Sequence, residues 1–169
     1  MKPLALGLAL LFVVGLHVAW WPDITTATQP AFTLAFVIAW GMVFSVRDGF
    51  WLALTSGLVL DLYTQQRFGT FMFATLLAYA VILAYLGRRG ADPTPGFATG
   101  LFVGAAALYE LTVLTSYTLF TPNFPFFTQL GQVATLNLLG SAVAFAVTYA
   151  LLATLRTRTT SPHERSLQY

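Results

Sequence analysis

Of the 169 residues in this chain, 57% are hydrophobic and 8% are charged, with a formal net charge of +2. Apolar stretches recur along the whole length, the composition of an all-α integral membrane protein, and they leave room for short loops and a tail but no soluble domain. So small and dispersed a charge gives no sign of a nucleic-acid surface, and the absence of cysteine excludes disulfides, thiolate metal sites and cysteine nucleophiles.

In chain order the apolar lengths predict helical spans over 4–21, 31–46, 49–63, 68–86, 96–120 and 126–155. Lys2 followed by an apolar run resembles a secretion signal. The run closes on His17-Val-Ala-Trp20-Trp21 rather than on a small-x-small cleavage site, and so reads as a retained membrane helix. The third span is short for a bilayer at about 1.5 Å per residue; it is tilted, re-entrant, or joined to the fourth through a broken segment at 64–69. The expectation is a six-helix transmembrane bundle, five if the third is re-entrant, forming one domain over 1–156. A polar tail over 157–169, with Pro162 and no apolar period, is read as flexible.

Alternation of six spans puts Lys2, Arg47, Arg88, Arg89, Arg156, Arg158 and Arg165 on one side, leaving Arg67 opposite. Positively charged loops stay in the cytoplasm, so both termini are expected there. Trp20-Trp21-Pro22 and the segment from Phe120 to Phe127, with Pro122 and Pro125, mark the outer face. The second of these is either an interfacial aromatic belt or an apolar contact for another protein.

Chemistry finds few residues to work with. No internal repeat or matched pair of broken helices points to an inverted-repeat transporter. His17 and His163 fall on opposite sides, which removes a histidine metal site, and the sequence implies neither metal nor cofactor. Ser56-Gly57 invites comparison with an intramembrane serine protease, yet no later span offers a histidine base; a small residue at a helix contact is the plainer reading. No enzyme activity is expected.

What remains is a set of polar groups inside apolar helices. Counting helix rise from either side places His17, Asp61, Glu110 and Asn137 in one layer of the outer half of the bilayer. An acid at mid-membrane costs about 2.5 to 3.5 kcal/mol on insertion scales, so Asp61 and Glu110 must be paired, neutralised or wetted; they are read as structural or functional in equal measure. His17 is read chiefly as wetted near the interface, and Asn137 chiefly as an interhelical hydrogen-bonding group. Arg67 is a candidate counter-ion to Asp61 across a turn near Gly69, or a snorkelling interfacial residue. Gly96, Gly100 and Gly104 form a small-xxx-small stripe that permits close helix approach, and Glu110 points about 120° away from it. Asn137, Ser141, Ala144 and Thr148 make a second narrow strip, expected to face protein.

The pattern of these positions resembles the rod shape-determining MreD family of bacterial inner-membrane proteins. The likeness centres on Phe50 to Arg89, with Gly57-Leu-Val-Leu-Asp61-Leu, then Gly69-Thr-Phe-Met-Phe and Tyr79. Ala107-Leu-Tyr-Glu110 and Leu136-Asn137-Leu extend it to the fifth and sixth spans. No one motif is specific; the order and spacing of the positions carry the resemblance. The short third span and the aromatic Pro122-to-Pro125 loop depart from it. The resemblance implies a non-enzymatic member of the cell-elongation (Rod) machinery that supports lateral peptidoglycan synthesis and cell shape. It implies direct binding to MreC, with MreB, RodA and a class B penicillin-binding transpeptidase in the same complex, and a fold like that of the substrate-binding subunits of ECF transporters. A rival from another class is a receptor or transport subunit, holding a small polar solute or lipid-linked headgroup in an outer-facing cavity lined by His17, Asp61, Glu110 and Asn137. Self-association through Gly96, Gly100 and Gly104 is left open.

Overall fold

The computed structural model describes residues 31–63, 68–89, 93–122, 124–132 and 137–159, together with Gly7 and Gly15. The expected first span at 4–21, with His17, therefore lies outside the described residues apart from those two glycines, as do Arg67 and the tail beyond residue 159. The described residues form six helices and no strand: α1 (Phe32–Val43), α2 (Val46–Tyr63), α3 (Thr70–Arg89), α4 (Pro95–Phe120), α5 (Phe126–Gln132) and α6 (Leu138–Thr159).

Length and composition sort these helices. Thr70–Gly87 in α3, Pro95–Phe120 in α4 and Leu138–Thr157 in α6 are long and apolar enough to cross a membrane. Arg47, Asp48 and Asp61 keep α2 out of that class, while α1 is apolar but only 12 residues long. The boundary between α1 and α2 has a local cause inside the stretch expected as one span at 31–46. Ser45 caps α2, its Oγ accepting from the Asp48 N–H at 3.3 Å, and so ends the apolar run two residues after Val43. The stretch expected as one span at 126–155 holds two helices, α5 and α6, with residues 133–136 outside the described ones.

Around the bundle α2 packs on α3, α3 on α4, α4 on α6, α6 on α1 and α1 back on α2, which closes a ring; α1 also touches α3 and α4. The shortest of the apolar ring helices is thus the most enclosed. Its sequence is apolar all round, and ten of its residues are buried, the arrangement that such a pattern requires. Val37, Ile38, Ala78, Tyr79, Ile82, Phe102 and Phe145 are sealed at the centre, with the Phe102 and Phe145 rings stacked at 4.4 Å. In contrast α6 turns Leu139, Val143, Val147, Leu151 and Leu155 outward, the side chains a lipid-facing helix presents.

Glycines set the closest approaches. A Cβ on Gly57 of α2 would stand 2.5 Å from the Met72 Cα of α3, and one on Gly49 would stand 2.7 Å from the Gly41 Cα of α1. Tyr79 reaches into that second notch, where a Cβ on either Gly41 or Gly49 would collide with its hydroxyl, and there donates to the Val46 carbonyl at 2.8 Å. The Gly96, Gly100 and Gly104 stripe behaves differently: all three glycines are exposed, and an added Cβ would meet nothing within 4 Å. The inward face of α4 is built from Ala98, Phe102, Ala105, Ala106, Tyr109 and Val113 instead.

Candidate polar layer at one end of the bundle

Asp61 owes its place to the α2–α3 turn. Gly57 and Asp61 stand one helical turn apart on α2, on the face that meets the first turn of α3. The glycine brings the two backbones together, and the acid then reaches across. Its Oδ1 accepts from the Phe71 N–H at 2.8 Å and its Oδ2 from the Met72 N–H at 3.1 Å. Both groups belong to the first turn of α3, whose donors have no partner within their own helix. Asp61, 4% exposed, serves as an N-cap supplied by the preceding helix, with its negative charge at the positive end of the α3 dipole. Gly69, at φ 99°, turns the chain into α3 in a conformation that side-chain-bearing residues rarely adopt.

Other contacts join the remaining elements to this end of the bundle. The Thr70 and Ser116 hydroxyls lie 3.2 Å apart, setting the start of α3 level with the last turns of α4. The Phe71 and Tyr109 rings are 6.5 Å apart, and Tyr109 lies within electrostatic reach of both Asp61 and Glu110. At the start of α6 the Ser141 Oγ accepts from the N–H of Ala31, the residue that caps α1, at 2.8 Å. Asn137, 2% exposed, lies one turn earlier. The beginnings of α1, α3 and α6 therefore meet the end of α2 and the later turns of α4, and Asp61, Glu110 and Asn137 all belong to this end.

Glu110 differs from Asp61 in its satisfaction. It too is 4% exposed, but its Oε1 is buried without a hydrogen-bond partner among the described residues, as is the Thr33 Oγ1 in the first turn of α1. An unpaired buried polar atom costs about 1 to 3 kcal/mol, more when charged, so this carboxyl is the least compensated group in the layer. Glu110 also lies on the side of α4 away from the exposed Gly104, as the helical angle predicts.

Sequence reasoning sets Asp61, Glu110 and Asn137 at one level, and it offers Arg67 either as a counter-ion to Asp61 or as a snorkelling interfacial residue. Arg67 lies outside the described residues; among them, the donors to both Asp61 oxygens are backbone N–H groups. Sequence reasoning did not find the Tyr79 notch or the Ala31–Ser141 bond. The signal for the notch was present as Gly41 and Gly49 flanking a two-residue helix break; the partner, thirty residues on, left no local trace. Among the described residues no three His, Cys, Asp or Glu side chains gather as a metal site would require. What this arrangement can do is hold helix ends together and offer one carboxyl oxygen that has no partner among the described residues. Comparison with protein-family models, with curated proteins and with solved structures yields no match.

Proposed function

We propose that this chain is a non-enzymatic scaffold of the bacterial cell-elongation machinery, a multi-pass protein of the inner membrane with both termini cytoplasmic. In this reading it resembles MreD proteins and binds MreC, within a complex that also holds MreB, RodA and a class B penicillin-binding transpeptidase. The observation that supports it most is the use made of Asp61. An intramembrane acid marks function by default, yet this one spends both oxygens on the backbone of the neighbouring helix, beside a glycine that admits that helix. Residues that carry the family likeness thus act as architecture, which suits a scaffold. Tagged protein solubilised in mild detergent is expected to retain MreC, and deletion of its gene to round the cells. Recovery of the chain alone, together with normal rods after deletion, overturns the reading.

The unpartnered Glu110 oxygen favours a second reading, in which the polar layer receives a small polar solute or lipid-linked headgroup. Vitamins and wall-precursor headgroups are the probes to screen. Thermal stabilisation by one of them, lost in Glu110→Gln, would support the reading. Failure of every probe to stabilise the wild-type chain weighs against it.

A further inference from the structure

The link between α4 and α6 differs in charge from the others between described helices. Arg47 and Asp48 stand at the join of α1 and α2, Arg67 between α2 and α3, and Arg88 and Arg89 end α3 with Asp92 following before α4. Residues 111–155 contain no Asp, Glu, Lys or Arg at all. A loop that leaves a membrane for water has no reason to avoid charge; one that stays in the headgroup and acyl boundary does.

The helix lengths set the level of this segment. α4 has 26 residues, about 39 Å of rise, which exceeds a hydrocarbon core of about 30 Å and carries its last turn to the interfacial zone or tilts it there. α6 begins at that same end of the bundle, so α5 is held at the membrane boundary by spanning helices on both sides. Its seven residues rise only about 10 Å and cannot cross. The Phe124 ring stacks on Tyr117 of α4 at 5.4 Å and anchors the segment, and α5 packs on α4. Phe126, Gln129 and Leu130 are half-buried, whereas Phe127 is 85% exposed. Leu119 before it and Leu139 after it are similarly exposed, so the apolar surface continues onto the outer faces of α4 and α6.

We propose that α5 lies in the plane of the membrane, packed on α4, with the Phe127 ring inserted among the lipids of one leaflet. The occupant of this surface is lipid rather than a partner protein. Two observations fix that choice: the segment is uncharged where the other links are not, and its exposed ring joins the faces that spanning helices turn to lipid.

The absence of cysteine makes the test direct. A nitroxide is attached at Phe127→Cys and, in a second protein, at Leu119→Cys, each reconstituted alone in phosphatidylethanolamine–phosphatidylglycerol liposomes. Val147→Cys on the outer face of α6 provides the deep-lipid reference and Asp48→Cys the aqueous one. Oxygen partitions into lipid and a neutral nickel chelate into water. At Phe127 and Leu119, oxygen is expected to relax the label more than the chelate does, with ratios between the two references. A ratio at Phe127 that matches Asp48 would place the ring in water, as for a protein-docking surface awaiting its partner, and would overturn the proposal. Shielding from both reagents would place it inside protein and overturn it equally. Neither result bears on MreC retention, so this inference and the scaffold reading fail separately.

Discussion

Two acids share one end of this bundle and the same burial, yet they meet opposite fates. Asp61 has both oxygens engaged by main-chain donors, whereas Glu110 keeps an oxygen with no partner among the described residues. Distance from a helix start decides the difference. Asp61 faces the first turn of α3, where donors are in surplus; Glu110 sits inside α4 among rings and alanines, in a stretch whose backbone donors are already bonded to their own helix. Buried acids are therefore not equivalent as indicators of function. One that closes a helix end is compensated by the fold itself, and one without such a partner is where an additional ligand or partner would gain most.

Substitutions can break or sharpen that contrast. The largest effect is expected at Asp61→Ala, which removes two charge-assisted hydrogen bonds worth about 1.5 to 3 kcal/mol each and leaves two helix-start donors without their partner; about 3 to 5 kcal/mol of stability should be lost. Asp61→Asn keeps one acceptor and should lose about half of that. Denaturant-dependent unfolding in detergent micelles measures both, and equal losses for the two variants would deny that acceptance by the carboxylate is what matters.

Gly57→Ala comes next, because its methyl meets backbone rather than a movable side chain. The helices must part, at about 1 to 3 kcal/mol, and Asp61 should lose its reach as they do. The double variant Gly57→Ala/Asp61→Ala should accordingly fall short of the sum of the single losses, a non-additivity that a double-mutant cycle reads directly.

Glu110→Leu is expected to reverse the sign. Replacing a buried acid that lacks a full set of partners by an apolar residue of similar volume is neutral to stabilising, here by about 1 kcal/mol in the same unfolding assay. A loss as large as that of Asp61→Ala would show that Glu110 is compensated after all and would end the contrast. Tyr79→Phe gives the smallest change, about 1 kcal/mol for the bond to the Val46 carbonyl, since its ring still fills the glycine notch.

The legible parts of the fold were those governed by local composition. Apolar length and helix rise placed α3 and α4 close to their observed bounds and brought Asp61, Glu110 and Asn137 to one level. The Gly57–Asp61 spacing is local too, and its meaning as a close approach with a reaching acid could be read from one helical turn. The split of the 31–46 stretch was less visible because Ser45 acts as a cap only once Asp48 is helical. Long-range choices left no such mark. Gly41, Gly49 and Tyr79 interlock across three helices, and the sequence gives no sign that these glycines face a neighbour while Gly96, Gly100 and Gly104, in the more familiar spacing, face outward. The main-chain donors at Asp61 left no mark either, because a helix start becomes a partner for a carboxylate only once the neighbouring helix has formed.

The Asp61 cap also has a bearing on how the chain reaches its membrane. Its donors follow it by only ten and eleven positions, so the loop that must close is short and its entropic cost small. During synthesis α2 and the start of α3 emerge together, well before α4 or α6 has been made. The hairpin can then form with its acid already engaged, so that the carboxylate meets the later helices as half of a finished pair. Order of synthesis, as well as final packing, gives this carboxylate its route to burial.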